Sequence, residues 1–179
     1  MVELLKEIEA VPAVLPAVTP RWMVEQAPED EDPGSAQVWQ RIEEYTRTRY
    51  TIRAVEWTIE AGEGEEWVPP LAPVISFTAE KWESGAWVST TLTEGPLGYC
   101  IPSDGVFRIL AEVGGGDVPP AVSEAFRRLH EYSRGIAEQF KEDAAIHAGE
   151  DMQRAMNWAA RAIQLSGAAD ALRPYRRQK

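Results

Sequence analysis

The sequence predicts an α+β fold: an N-terminal helix, a small antiparallel β region built on a hairpin, two C-terminal helices and an extended basic C-terminal arm. Apolar residues recur at helical spacing over residues 35–47 and again after residue 120. Between these stretches, apolar and polar residues alternate in short runs, which is typical of strands with one buried face. Prolines and glycines separate the runs and mark the turns.

The first 33 residues are expected to be irregular. Five prolines follow a possible short helix over residues 2–9, and proline interrupts longer helices. The first well-patterned helix is predicted over 35–47, where Val38 and Ile42 lie on one face. The chain therefore divides into a Pro-rich segment (1–33), a central domain (34–167) and a basic arm (168–179).

The β region is predicted from period-two alternation. Val55, Trp57 and Ile59 alternate with polar residues in a strand over about 50–60. Residues 74–93 read as a hairpin with its turn at residues 83–86, and residues 107–113 form the last strand. Trp57, Trp82 and Trp87 could form a stacking platform for sugars or bases, but packing in the core is the expectation that fits large strand residues.

Two helices are predicted near the C-terminus. Pro119-Pro120 begins a helix over about 120–147, and a second helix follows over about 150–166. The second helix is apolar on more than one side, which favours burial both in the core and against a neighbouring subunit. The residues expected in this inter-subunit or core packing are Met152, Met156, Trp158, Ala159 and Ile163.

Composition limits the possible partners and compartments. The chain has 179 residues and a formal net charge of −11, so it lacks the basic surface that nucleic-acid binding requires. Four of its basic residues nevertheless lie in the last seven positions. One cysteine excludes an intramolecular disulfide and suits a reducing cytosol. We expect no membrane span and no signal peptide.

The residues with chemical potential predict no active site. His130 and His147 are about 25 Å apart along one helix, too far to share a metal ion. Cys100 lies among apolar neighbours and is expected to be a buried structural residue. The glycines at 114–116 lack the lysine and hydroxyl of a phosphate loop. We therefore expect no catalytic residue, no metal, no cofactor and no enzymatic activity.

The order of several short motifs resembles the phage head–tail connector, or adaptor (head completion), family of siphophages and gene transfer agents. The resemblance covers residues 35–179 and departs from the family at the proline-rich N-terminus, where members often have two helices. Its motifs are Ile42-Glu43-Glu44-Tyr45-Thr46, Trp57-Thr58-Ile59, Val118-Pro119-Pro120-Ala121-Val122, Trp158-Ala159-Ala160-Arg161-Ala162-Ile163 and Leu172-Arg173-Pro174-Tyr175-Arg176-Arg177.

This resemblance implies a structural virion protein of the phage neck, assembled in the host cytoplasm. Such a connector forms a ring, typically a dodecamer, beneath the portal protein and joins the capsid to the tail. DNA passes through its channel without specific binding, and a stopper or terminator protein binds on the tail side. The resemblance also implies that the C-terminal arm binds the portal, through Leu172, Arg173, Pro174, Tyr175, Arg176 and Arg177.

Two alternatives stay open. The chain could be another neck or tail component, such as a tail terminator or a stopper. Those proteins tend to be richer in strands, and the two predicted C-terminal helices argue against them. A small cytosolic binding module is the other alternative, but it would require a pocket of convergent polar groups that the sequence does not indicate.

Overall fold

The computed structural model of the chain describes residues 1–16, 18, 33–143 and 161–177. Its internal contacts divide these residues into two compact units. The strand unit contains residues 1–14 and 48–116, and the helical unit contains the described residues of 15–47 and 117–177. The predicted division near residues 33 and 167 stays a prediction about functional segments.

Antiparallel strands build the strand unit as two sheets. The main sheet has five strands in the order β1-β2-β8-β4-β5, and a second sheet has three in the order β3-β7-β6. The strands are β1 (Glu3–Glu9), β2 (Arg53–Ala61), β3 (Glu66–Trp67), β4 (Val74–Glu83), β5 (Ala86–Thr90), β6 (Thr93–Glu94), β7 (Tyr99–Cys100) and β8 (Gly105–Val113).

Alternate residues of the central strands form the core of the strand unit. Trp57 in β2 is fully buried and pairs with Ile109 of β8, which is also fully buried. Trp57 also meets Trp67 edge to face, with 5.3 Å between the ring centroids. The alternation predicted at residues 50–60 is thus confirmed, because one face of β2 is buried and removal of apolar area from water stabilises that arrangement.

The prediction that the chain begins with a helix was wrong. Residues Glu3–Glu9 form strand β1, which pairs antiparallel with β2 along the edge of the main sheet. Leu4 and Ile8 stand four residues apart, a helical spacing, yet their side chains are 45% and 47% exposed. Backbone pairing with the open edge of β2 decides the conformation here, because intrinsic helix propensity is a weak preference that tertiary context overrides.

The predicted fold class therefore needs correction as a whole. The β region is not small and hairpin-based, because the described residues contain eight strands in two sheets. The hairpin over 74–93 exists as β4 and β5, but these are only the last two of the five strands, at one edge of the main sheet. The helices lie in the middle of the chain and towards its C-terminus.

Gly114 ends β8 where no other residue fits. Its φ of +106° is a conformation that residues with a Cβ rarely adopt. A Cβ at this position would lie 1.9 Å from the Thr51 carbonyl oxygen, and the Gly114 N–H donates to the Pro73 carbonyl at 2.9 Å. The first of the three glycines is thus packed against the backbone of a neighbouring segment. This contact makes the glycine run a structural connection and not a phosphate loop.

The helical unit contains two long helices and a short C-terminal segment. Its elements are α1 (Pro33–Thr46), α2 (Pro120–Asp143), α3 (Ala168–Leu172) and a one-turn 3-10 helix (Arg173–Tyr175). Residues 161–165 are also helical. The predicted helix over 120–147 is confirmed over Pro120–Asp143. The rest of it, and most of the predicted helix over 150–166, lie outside the described residues.

Aromatic stacking and aliphatic packing form the core of the helical unit. The rings of Trp39 in α1 and Phe126 in α2 stack with centroids 4.9 Å apart at an interplanar angle of 26°. Ile42 and Leu129, one turn further along each helix, are fully buried. The apolar stripes predicted for both helices therefore face a shared core. Among the described residues, no helix has the length and hydrophobicity to cross a lipid bilayer.

Candidate functional site

The C-terminal segment is folded, and two buried side chains anchor it. Gly167 precedes α3 with a φ of 73°, a left-handed conformation that favours glycine. The Ser166 hydroxyl accepts a hydrogen bond from the Ala168 N–H at 3.3 Å. Ala168 and Leu172 are both fully buried. Apolar residues on one side of α3 therefore attach the segment to the helical unit.

The end of the segment returns to the C-terminus of α1. The Arg177 N–H donates to the Thr46 carbonyl at 3.1 Å, and the last carbonyls of a helix lack partners within the helix. The Arg176 guanidinium lies 5.4 Å from the centre of the Tyr45 ring, within the range of a cation–π contact. The prediction of an extended basic arm was therefore wrong, because the segment folds back on α1.

The fold-back presents a compact basic turn to solvent, formed by Arg173–Arg176. A backbone hydrogen bond closes the turn, because the Arg176 N–H donates to the Arg173 carbonyl at 3.3 Å. Arg173, Pro174 and Arg176 are exposed, and Tyr175 is half-buried. Residues three apart in a helical turn lie about 5–6 Å apart at Cβ, so the two guanidinium groups can act together. Such a pair suits two carboxylates on a partner.

Leu172 is buried within this chain, and its implied portal-binding role stays a prediction. The resemblance to connectors implies that role, whereas the structure buries the side chain fully. Leu172 therefore holds the basic turn in position. Arg177, the last residue of the implied binding set, is half-buried beside α1.

Most of the predicted packing set lies outside the described residues. This applies to Met152, Met156, Trp158 and Ala159. Ile163 is described and is half-buried in the helical residues 161–165, next to the fully buried Ala162. The role of this set in packing between subunits stays a prediction.

The outer face of the main sheet carries an aromatic cluster that sequence reasoning assigned to the core. Trp57 is buried as expected, but Trp82 is 46% exposed and Trp87 is half-buried. The rings of Trp82 and Trp87 meet edge to face at 5.0 Å, and the Arg108 guanidinium lies 4.7 Å from the Trp87 ring centre. Glu80 accepts a hydrogen bond from Arg108 Nε at 2.8 Å and holds it there.

The signal that would have located this cluster is strand parity. Trp82 has the same parity in β4 as Thr78 and Glu80, two polar residues, so alternation places all three on the solvent side. Trp82 also pairs directly with Trp87 across the hairpin. An edge-to-face pair is not a flat platform, so the geometry does not favour stacking of a sugar or base over both rings.

A charged cluster attaches β1 to the rest of the strand unit. Glu9 Oε2 accepts a hydrogen bond from Arg49 Nη2 at 2.6 Å, and its Oε1 accepts one from Arg53 Nη1 at 2.8 Å. Arg53 also donates to the Thr51 hydroxyl. Burial alone raises the pKa of Glu9, but the hydrogen bonds and charges of the two arginines outweigh burial and lower it. Glu9 is therefore ionised at neutral pH.

The residues with chemical potential lie apart from one another in the described part of the chain, at packed positions. No group of three or more His, Cys, Asp or Glu side chains in this part of the chain could hold a metal ion. His130 is buried in the helical unit and stacks on Phe126 with centroids 5.7 Å apart. Cys100 is half-buried in β7, not fully buried as its neighbours suggested. These geometries indicate packing roles.

Comparison with known proteins identifies two partial likenesses. No protein-family model matches the sequence, and no curated protein matches it significantly. A chain in the neck of an empty GTA particle is 17% identical with a TM-score of 0.47, over 82% of this chain and 77% of that chain. A chain in the neck of a native GTA particle is 16% identical with a TM-score of 0.47, over 95% and 97%. Likenesses at this TM-score carry no conclusion about function.

Proposed function

We propose that this chain is a structural subunit of the neck of a phage-like particle, a head–tail connector that docks on the portal protein through its basic turn. In this role the subunits form a ring, join the capsid to the tail and extend the DNA channel. The tail side of the ring binds a stopper or terminator protein. The chain performs no chemistry and needs no cofactor.

One observation carries this proposal. The C-terminal motif that resembles connectors, Leu172–Arg177, divides into a buried anchor and an exposed basic turn. A surface that combines arginine with a neighbouring proline and a half-buried tyrosine is typical of protein interfaces, where arginine and tyrosine are enriched. On a chain with a net charge of −11, this concentration of positive charge marks the place where an acidic partner would bind.

The remaining charge supports passage of DNA without binding. The outer face of the main sheet exposes carboxylates, including Glu60 and Glu112. An acidic wall repels the phosphate backbone, so DNA can move past it without adhering. The small and apolar helix predicted over 150–166 supports ring formation, since a helix apolar on several sides is buried on several sides.

The experiment that tests docking separates the anchor from the turn. A chain ended after Leu172 keeps both buried anchor residues and loses the whole basic turn. We expect the shortened chain to stay folded, by circular dichroism, and to stop co-sedimenting with portal rings from its own particle. Arg161→Gln, which removes an exposed arginine outside the turn, is the matched control and should co-sediment like the wild type. Undiminished co-sedimentation of the shortened chain would overturn portal docking by this turn.

A tail terminator or stopper is the second candidate. The strand content of the structure favours this candidate more than the sequence prediction did. Terminators and stoppers tend to be strand-rich, and the described residues contain eight strands in two sheets, more than the small β region that the sequence predicts. Electron microscopy of the chain mixed separately with portal rings and with tail tubes distinguishes the two roles. A ring on the portal supports the connector, whereas a ring only on the tube end supports the second candidate.

A further inference from the structure

A shallow groove of about 480 Å³ crosses the outer face of the main sheet. Two neighbouring rows of paired residues form its floor. One row runs through Ile8, Glu56, Leu110 and Thr78, and the next runs through Ala54, Glu112 and Ser76. Ala54 and Ser76, the small residues of the second row, lie next to the larger Glu56 and Leu110 of the first.

The groove combines exposed apolar area with negative charge. Ile8 is 47% exposed and Leu110 is 38% exposed, although both are large apolar residues. Glu56 and Glu112 are the ionisable residues that line the groove, and both are carboxylates. They lie on adjacent strands as diagonal neighbours, a position that separates residues by about 7–8 Å. Their contacts are long: Lys6 Nζ is 3.8 Å from Glu56, and the Ser76 hydroxyl is 3.4 Å from Glu112.

We propose that this groove binds the basic turn, Arg173–Arg176, of a second copy of the chain. Two exposed arginines, three residues apart in the turn, match two carboxylates in charge, with Arg176 opposite Glu112 and Arg173 opposite Glu56. Between the arginines, the exposed ring of Pro174 supplies an apolar surface for the floor at Leu110. Charge and shape therefore complement each other between two surfaces that the same sequence carries, and the contact is head to tail.

This contact rests on the proposed function and adds an assembly step to it. A basic turn held in a neighbour's groove cannot bind the portal at the same time. The contact therefore belongs to subunits that are not yet on the portal, and docking on the portal replaces it. Because both surfaces are exposed, the contact weakens as salt screens the charges.

Charge reversal tests the contact in the full-length protein. Sedimentation velocity over a wide concentration range at low salt should show reversible self-association of the wild type. Glu112→Lys and Arg176→Glu should each raise the dissociation constant about tenfold, since each replaces an attraction by a repulsion. The double variant, with both charges reversed, should recover most of the wild-type affinity. Glu60→Lys reverses a carboxylate on the same face and strand as Glu56 but outside the groove, and should leave self-association unchanged.

Each outcome decides the proposal. A wild type that stays monomeric, a Glu112→Lys variant that associates normally, or a double variant that fails to recover while folded would overturn it. Cross-linking of the turn to the groove that does not depend on concentration would also overturn it, because the contact would then lie within one chain. Glu112→Lys keeps its basic turn and should still bind portal rings. Loss of portal binding by every variant and by the wild type would instead overturn the proposed function and leave self-association standing.

Discussion

Backbone hydrogen bonds and a few side chains attach both the first and the last segment of the chain to their units, but the two segments use charge in opposite ways. At the N-terminal end, Glu9 faces inward and binds two buried arginines, Arg49 and Arg53, while Leu4 and Ile8 are exposed. At the C-terminal end, Leu172 is buried, and Arg173 and Arg176 are exposed.

The difference shows which end can offer charge to a partner. A charged side chain that is paired inside a unit is needed for stability, because a buried ion that loses its partner strongly destabilises the fold. Exposed arginines next to a buried apolar residue contribute little to stability, so their charge remains available for binding. The N-terminal strand is thus a structural element, and the exposed charge of the C-terminal turn is what the proposed docking uses.

The largest expected effect comes from removal of the C-terminal anchor. Leu172→Ala removes a fully buried side chain and should lower the free energy of unfolding by about 2–5 kcal/mol. Urea unfolding followed by circular dichroism measures the change. Leu165→Ala is the matched control, because Leu165 is 53% exposed and should change stability by less than about 0.5 kcal/mol. Equal effects of the two substitutions would show that Leu172 is not an anchor.

Loss of the inward charge at the N-terminal end should have the next largest effect. Glu9→Gln keeps the size of the side chain but leaves Arg49 and Arg53 without their shared carboxylate. The free energy of unfolding should fall by about 2 kcal/mol, less than for a fully buried pair because Glu9 is partly exposed. Glu3→Gln, at the exposed start of the same strand, should have no measurable effect. A neutral Glu9→Gln would mean that backbone pairing alone holds β1.

The stability difference between the wild type and Glu9→Gln should depend on pH, because the pKa of Glu9 is lowered in the folded state. A carboxylate whose pKa is lower in the folded state stabilises the protein above its unfolded pKa and loses this contribution as pH falls through the folded pKa. The ordinary value is 4.5, so the stability gap between the wild type and Glu9→Gln should be full at neutral pH and close progressively in acid below 4.5. Unfolding curves over this range measure it. A gap that widens in acid would contradict the assignment.

The smallest effect on stability should come from the outward charge. Arg176→Ala removes an exposed guanidinium and its contact with Tyr45, worth about 0.5–1 kcal/mol at most at an exposed site. Its binding to portal rings should nevertheless weaken several-fold, which co-sedimentation measures. If Arg176→Ala lost much stability but still bound portal rings, the charge at the C-terminal end would serve folding and not binding, contrary to the comparison.

Local patterns were sufficient for the regular parts of the fold. The alternation around Trp57 located β2 and its buried face, and the helical spacing of Val38 and Ile42 located α1. Both succeed because one face of each element is buried, so side-chain period and local conformation agree. The same reasoning failed for residues 3–9, where helical spacing and strand pairing compete and the side chains are mostly exposed.

The candidate site was predicted in composition but not in shape. The basic cluster from Arg173 onward was evident from the sequence, as was its mixture with apolar residues. The division of this segment into a buried Leu172 and an exposed turn depends on its contacts with α1 and α2, which no local pattern specifies. The groove at Glu56 and Glu112 depends likewise on strand register, since residues 56 positions apart become neighbours only through the pairing of β2 with β8.

By itself, the sequence determined strand β2, the β4–β5 hairpin, helix α1 and the start of helix α2, and it showed where the positive charge is concentrated, because each of these is a property of neighbouring residues. Only the tertiary structure decided that Glu3–Glu9 is a strand, that Trp82 lies outside the core and that the C-terminal segment folds back. In each of these cases the free energy comes from contacts between distant residues, and such contacts outweigh local preferences of a few tenths of a kcal/mol per residue.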